Sequence, residues 1–220
     1  TFCAMAIELY NEDNMKLMAR YPDKYFDIAI VDPPYGIDIN NQSQGKGGGV
    51  AKKIDYTKYD WDKQAPDKAY FDELMRVSKN QIIWGANHFI EKLPINSSCW
   101  IVWDKENGET DFADCELAWT SFKTAVRKFK WKWAGMLQQN MSNKQQRIHP
   151  TEKPIQLYQW LLKKYAKEGD LILDTHLGSA SIAIACHREN YSLVGCELVK
   201  EYYDKGLKRL QNEQAQTVLF

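Results

Sequence analysis

At 220 residues, with 44% apolar and 26% charged side chains, the chain has the make-up of one soluble domain and no apolar run long enough to span a bilayer. Its 29 basic and 29 acidic residues cancel, which excludes a uniformly basic binder but not a local basic face. Five scattered cysteines without a CxxC pair, and four histidines that complete no zinc pattern, exclude a disulfide scaffold and a zinc site; with no basic-then-apolar leader, a reduced, cytoplasmic setting is expected.

The first predicted strand is Ile7–Tyr10 and the first helix Asn14–Arg20. A second strand, Phe26–Val31, runs directly into Asp32-Pro33-Pro34-Tyr35-Gly36. Asn40–Lys53 holds four of the twelve glycines and almost no apolar bulk. It cannot offset its ordering entropy, so a mobile loop is expected. A helix at Asp67–Val77 precedes a strand at Gln81–Trp84. Three strands without intervening helices follow, Cys99–Trp103, Glu116–Thr120 and Lys128–Trp133, and predict an antiparallel patch. Behind Pro154, the helix Ile155–Lys164 carries a buried stripe of Leu157, Trp160, Leu161 and Tyr165. Strand Asp170–Asp174, helix Ser181–Glu189, strand Ser192–Cys196 and helix Lys200–Arg209 close the pattern. The alternation predicts an α/β fold with a largely parallel sheet between helices. No repeat or second composition break divides the chain, so residues 1–220 are read as one domain.

The sharpest motif is the corner after the second strand. Ligands of open α/β sheets sit beyond the carboxyl ends of the strands. Two prolines donate no N–H, so the corner is rigid and its carbonyls face outward as acceptors. A carboxylate (Asp32), a bare carbonyl (Pro33) and a flat ring (Tyr35) together suit a planar heterocycle bearing an NH2 group. The plain alternative is a strand-ending turn. In the second motif, strand LILD ends at Asp174, a turn with Gly178 and Ser179 opens a helix, and the next strand ends at Glu197. That is the layout of a nucleoside half-site, with glycine for close approach and an acid for ribose hydroxyls. The GxGxxG phosphate fingerprint is absent, which favours a cofactor without a pyrophosphate. An ordinary βαβ unit is the alternative.

Asp32-Pro33-Pro34-Tyr35-Gly36, HPTEKP at His149–Pro154 and DTHLGS at Asp174–Ser179 stand here in that order. Together, over roughly Ile7 to Leu210, the chain resembles the amino-methylating DNA methyltransferases of the β class, whose catalytic motif comes first and cofactor motif last. The resemblance implies a Rossmann-like methyltransferase fold with a mostly parallel seven-stranded sheet, S-adenosyl-L-methionine as cofactor, and base flipping. It places the catalytic tetrad on Asp32, Pro33, Pro34 and Tyr35. The methionine-binding turn falls on Asp174, Thr175, His176, Gly178 and Ser179, and the ribose acid on Glu197. The element packing over the cofactor falls on His149, Pro150, Thr151, Lys153 and Pro154. Asp13 stands where the family has an adenine-ring contact, and Ile82–His88, with Trp84 and Gly85, where it has a further pocket strand. Where the family has Asp-Pro-Phe-x-Gly-Ser-Gly-Thr, this chain has Asp174-Thr175-His176-Leu177-Gly178-Ser179-Ala180-Ser181, one glycine fewer. The candidate target-recognition segment is short, about 109–148.

From Trp119 to Thr151 there are seven basic residues and no acid: Lys123, Arg127, Lys128, Lys130, Lys132, Lys144 and Arg147. In Lys128–Trp133 lysines and aromatics alternate, so one face can meet phosphates while the other anchors on the core. An edge strand guarded by lysines is the alternative. Lys46, Lys52 and Lys53 of the glycine-rich loop are further DNA-contact candidates, in a segment read as a lid over the flipped nucleotide. His88 and His187 are read as structural or surface residues, and Trp100, Trp103 and Trp119 as core.

The expected activity is methyl transfer to the N6 amine of adenine in DNA, because within the family Asp at the first tetrad position leans towards adenine. N4-cytosine methylation on the same fold stays open, as does a catalytically silent partner subunit. DNA is the expected partner; a second copy of the chain and a cognate restriction enzyme are further candidates, in a bacterial or phage setting.

Overall fold

The computed structural model describes residues 5–37, 64–94, 96–108, 113–134, 137–142, 144, 147–149 and 151–217. The glycine-rich loop, with Lys46, Lys52 and Lys53, lies outside the described residues, as does Pro150.

In chain order the elements are β1 (Ile7–Tyr10), α1 (Asn14–Met18), β2 (Phe26–Val31), α2 (Lys68–Val77), β3 (Ser78–Trp84), β4 (Ile101–Asp104), β5 (Cys115–Thr120), β6 (Arg127–Lys130), β7 (Trp133–Ala134), β8 (Leu137–Gln138), α3 (Ile155–Tyr165), β9 (Leu171–Asp174), α4 (Ser181–Glu189), β10 (Ser192–Cys196) and α5 (Lys200–Thr217). Eight strands form one sheet in the order β1-β10-β9-β2-β3-β5-β4-β6. The first five are mutually parallel; β5 runs antiparallel to both β3 and β4, and β6 joins β4 in parallel. These eight correspond to the eight strands read along the sequence, where the resemblance implies seven; β6 is the outermost, beyond β4.

Parallel strands under helices on both faces must be apolar on both sides. Accordingly Ile28 and Ile30 of β2 pack with α3 and α4, while Ala29 and Val31 pack with α1 and α2. Trp84 and Trp103 meet edge to face in the first of these layers, and Trp119 is buried in the second.

The local differences from expectation have physical causes. Polar Ser78, Lys79 and Asn80 conceal the start of β3. Ser78 Oγ donates to Leu74 O at the end of α2, so helix and strand meet without a loop. α5 continues past Arg209 to Thr217, held by buried Leu210 and the Arg188–Glu213 ion pair. The strand expected over Lys128–Trp133 stops at Lys130, and Trp133 opens a separate hairpin of β7 with β8. Within the segment 109–148, β5 and β6 belong to the main sheet.

Among the described residues no helix is long and apolar enough to cross a membrane, and no His, Cys, Asp or Glu cluster is placed to hold a metal ion.

Candidate active site

β2 and β9 are adjacent and parallel, with Ile28 opposite Ile172 and Ala29 opposite Leu173. Both therefore end at the same edge of the sheet, one in Asp32 and the other in Asp174. This adjacency brings the two motifs into one site, although 141 residues separate the two acids in sequence.

At the first corner the Tyr35 hydroxyl donates to Asp32 Oδ1 at 2.8 Å. Lys153 Nζ lies 2.5 Å from Asp32 Oδ2 and 3.2 Å from Tyr35 Oη. Lys153 also reaches Glu116 Oε2 at 3.0 Å, and the other oxygen of Glu116 lies 2.5 Å from Lys105 Nζ. The Tyr35 ring is stacked on the His88 imidazole, with centroids 4.9 Å apart and planes 14° apart. His88 is exposed, as expected, but it is also part of this corner.

Burial pushes the Asp32 carboxyl above the ordinary carboxylate range, and the Lys153 ammonium offsets only part of that rise. Burial opposes the Glu116 charge as well, but Lys153 and Lys105 together overcome it and hold Glu116 at about 2. Glu116 has two cations and Asp32 one, so Glu116 is the more firmly ionised of the two.

The second corner is a knot of backbone donors and small polar groups. Asp174 Oδ1 accepts from His176 N at 2.9 Å, and Leu177 N donates to Cys196 O of β10. Gly178 N donates to Glu197 Oε2 and Val199 N to Glu197 Oε1. Thr175 Oγ1 shares a 2.7 Å hydrogen bond with Tyr70 Oη. Ser179 Oγ pairs with Ser181 Oγ, and Arg209 fastens the turn by donating to Ser179 O and Ser181 Oγ. His149 lies over Gly178 and meets the Tyr202 ring edge to face, 4.4 Å between centroids. Burial, then the Lys153 charge, lowers His149 to about 3; burial lowers His176 to about 4. Both rings are therefore neutral near pH 7. Burial, with Asp32 and Glu197 as neighbouring acids, pushes Asp174 up to about 8.

The model family described as DNA methylase matches residues 91–208, more than half the chain. The chain belongs to the DNA methylase family. This DNA methylase is 26% identical to the Type II methyltransferase M2.DpnII of Streptococcus pneumoniae, over 93% of the chain and 90% of that protein. It is 25% identical to M2.LlaDCHI of Lactococcus lactis subsp. cremoris, over 92% and 88%. Among solved structures its fold is similar to M1.HpyAVI in complex with SAM (TM-score 0.54, 21% identity, covering 93% of this chain and 100% of that one). It is also similar to the cytosine-N4-specific PvuII DNA methyltransferase (TM-score 0.59, 11% identity, 96% and 92%).

The residues singled out in the sequence fall into three places. Asp32, Pro33, Pro34, Tyr35 and Lys153 meet at the first corner, Lys153 with its ammonium on the tetrad rather than on the cofactor turn. Asp174, Thr175, His176, Gly178, Ser179, Glu197 and His149 meet at the second, with Thr151 bonded to His149 and Pro154 heading α3. Asp13 caps α1 by accepting from Lys16 N, and the next residue, Asn14, bonds His176 Nε2 at 3.1 Å. The basic residues lie elsewhere. Arg127, Lys128 and Lys130 are exposed on β6, four strands from β2 and so roughly 19 Å away. Lys128 and Lys130 face Asp104 at 3.6 Å and Glu106 at 3.3 Å. Lys123 and Lys144 are exposed, Lys132 is half-buried, and Arg147 lies over the Trp133 ring. Sequence reading missed Glu116, Lys105 and the His88 stack, because their roles come from strand pairing rather than from a contiguous motif; Gly85 was named with the pocket strand, but not its contact with Tyr35.

Proposed function

We propose that this DNA methylase transfers a methyl group from S-adenosyl-L-methionine to the exocyclic N6 amine of a flipped-out adenine. The observation that carries the proposal is the placement of Asp32 and Tyr35 at the end of β2, beside the Asp174–Ser179 turn at the end of β9. The cofactor fits that turn on a feature of this structure. Asp174 is buried, and no ion pair joins it to a described residue. A cationic amino group there restores its charged form. Glu197, whose carboxylate already receives the backbone N–H groups of Gly178, Leu198 and Val199, has lone-pair capacity left for a ribose hydroxyl.

When bound, S-adenosyl-L-methionine supplies an electrophilic methyl group on a positive sulfur. The residues of this chain act on the amine. Its lone pair is delocalised into the ring, so attack requires the nitrogen to become more tetrahedral. Asp32 and the Pro33 carbonyl, as fixed acceptors, favour that change and stabilise the positive charge that grows on nitrogen. The N–C bond would form as the methyl–sulfur bond of the sulfonium breaks, the sulfur leaving as a neutral thioether, and the surplus amine proton would pass to water afterwards, so no early base is needed. The rigid proline corner holds the amine in line. A base inside a duplex cannot reach this corner, hence flipping, with Tyr35 as a stacking surface.

We assign DNA backbone contacts to the exposed lysines and arginines of 123–147, and target recognition to the part of 109–148 outside the sheet, including the β7–β8 hairpin. Relatives named Type II methyltransferases support a cognate restriction enzyme as partner and the bacterial cytoplasm as setting.

The test is incubation with DNA and S-adenosyl-L-methionine, digestion to nucleosides and mass spectrometry. N6-methyladenine is expected, and Asp32→Ala should abolish it. N4-methylcytosine would establish the other base, a real alternative because the fold is shared with a cytosine-N4-specific enzyme. No product from the purified chain would establish a silent partner.

A further inference from the structure

Lys153 is the cation of the catalytic corner, and both of its charged partners are acids. Its side chain is 2% exposed, with Asp32 Oδ2 at 2.5 Å and Glu116 Oε2 at 3.0 Å. Lys105 closes the row on the far side of Glu116 at 2.5 Å. The charges alternate along Asp32, Lys153, Glu116 and Lys105. Such a row is expensive to desolvate, and an apolar cluster of the same volume would pack the sheet edge as well. The arrangement calls for a purpose other than stability.

The purpose follows from what Asp32 must be. A buried carboxyl left alone takes up a proton. A protonated carboxyl offers a donor and loses acceptor capacity, whereas an NH2 group needs acceptors. We infer that Lys153 is a positioning residue that keeps Asp32 ionised and turned as an acceptor for the substrate amine, and that Glu116, itself balanced by Lys105, holds Lys153 there. This rests on the reading of Asp32 as the amine acceptor given above.

The neighbours of Asp32 fix the signs. Lys153 faces it from the segment before α3, Tyr35 from its own corner, Glu116 from β5 with Lys105 behind, Tyr158 from α3, Asp174 from β9 and Tyr70 from α2. Of these only the lysines carry positive charge. Loss of Lys153 must therefore raise the pH at which Asp32 gains its proton. Glu116→Gln must lower it, because the amide oxygen can still accept from Lys153 and hold it while one nearby anion disappears. A residue that merely packed the corner would not produce opposite signs.

The experiment needs neither cofactor nor DNA. The protein is labelled with 13C at the Asp side-chain carboxyl, and the Asp32 resonance is assigned by its loss in Asp32→Asn. In Lys153→Met the titration midpoint should rise by about one pH unit or more. Lys153→Arg should keep it near the wild-type value, and Glu116→Gln should move it down. The acidic limb of single-turnover methylation should shift in the same direction as the midpoint in each variant. An unmoved midpoint in Lys153→Met overturns the inference, as does movement of Lys153→Met and Glu116→Gln in the same direction. If Lys153→Met does not fold, Glu116→Gln decides alone, and an unchanged or raised midpoint overturns it. A wild-type protein that methylates cytosine or nothing would sink the functional reading, and the titration would still stand as measured.

Discussion

Gly85 and the ring of Tyr35 lie against one another so closely that a Cβ on Gly85 would be 2.0 Å from Tyr35 Cε1. Gly85 also has φ +70°, a conformation that side chains with a Cβ rarely adopt. Gly85→Ala should push Tyr35 off its position and strain the turn after β3. We expect roughly a hundredfold loss in the rate of the chemical step, from misplacement alone. The stability loss should be about 1–3 kcal/mol. Single-turnover rates beside thermal unfolding check this; an unchanged rate would show that Tyr35 need not stand where it does.

Asp174 should be a case in which function opposes stability. Its carboxyl is held at about 8 in the folded chain against an ordinary value near 4. Between those values the folded state carries a proton that the unfolded state has lost. Stability therefore falls as pH rises through the window, by about 1.4 kcal/mol per pH unit, and levels off above it. Asp174→Asn removes this dependence. The variant should unfold at a higher temperature than the wild type when free of ligand, by a margin that grows from pH 5 to pH 8. It should also lose affinity for S-adenosyl-L-methionine by calorimetry. A margin that shrinks with pH would contradict the assignment.

His149 and His176 work in the other direction. Both are buried and neutral, at about 3 and about 4 when folded, against about 6.5 when unfolded. Below pH 6.5 the unfolded chain binds protons that the folded chain refuses. Stability is thus fully present above that pH and drains away as pH falls towards the folded values. His149→Gln should reduce the slope of stability against pH between 6 and 4.5 by about 1.4 kcal/mol per pH unit. Urea unfolding at several pH values measures it.

Arg209 ties α5 to the turn after β9 and to the His149–Pro154 segment. It donates to Ser179 O and Ser181 Oγ, and its Nη2 lies 3.1 Å from Oε1 of Glu152, whose side chain is fully buried. Arg209→Met leaves that acid without its cation. The expected loss is about 3–5 kcal/mol, larger at pH 8 than at pH 5, where Glu152 can take up a proton. Adding Glu152→Met should recover part of it. A double variant no more stable than Arg209→Met would point to the turn contacts instead.

The readable parts of this protein were those encoded locally. Asp32-Pro33-Pro34-Tyr35 and Asp174–Ser179 each occupy one strand end, and strand periodicity located β2, β9 and β10 to within a residue or two. Glu116 was unreadable because it looks like any strand acid; only the antiparallel pairing of β5 with β3, with Trp84 opposite Ala118, turns it to Lys153. Lys153 was legible as part of a motif but not in its orientation. The alternating run Lys128–Trp133 misled on length. Trp131 N donates to Asp104 O where the β4 pairing ends, and the chain then leaves for a second hairpin.

The partnership of Ile28 with Ile172 has a consequence for synthesis. A ribosome releases the proline corner first and its neighbouring strand β9 only after residues 37–170 have followed. Until then β2 lacks one of its two hydrogen-bonded flanks, and the acids of the two corners belong to separate stretches of nascent chain. Such distant pairing delays assembly until β9 has been made, so that competence to modify a genome waits for the joining of two stretches and resides in neither alone.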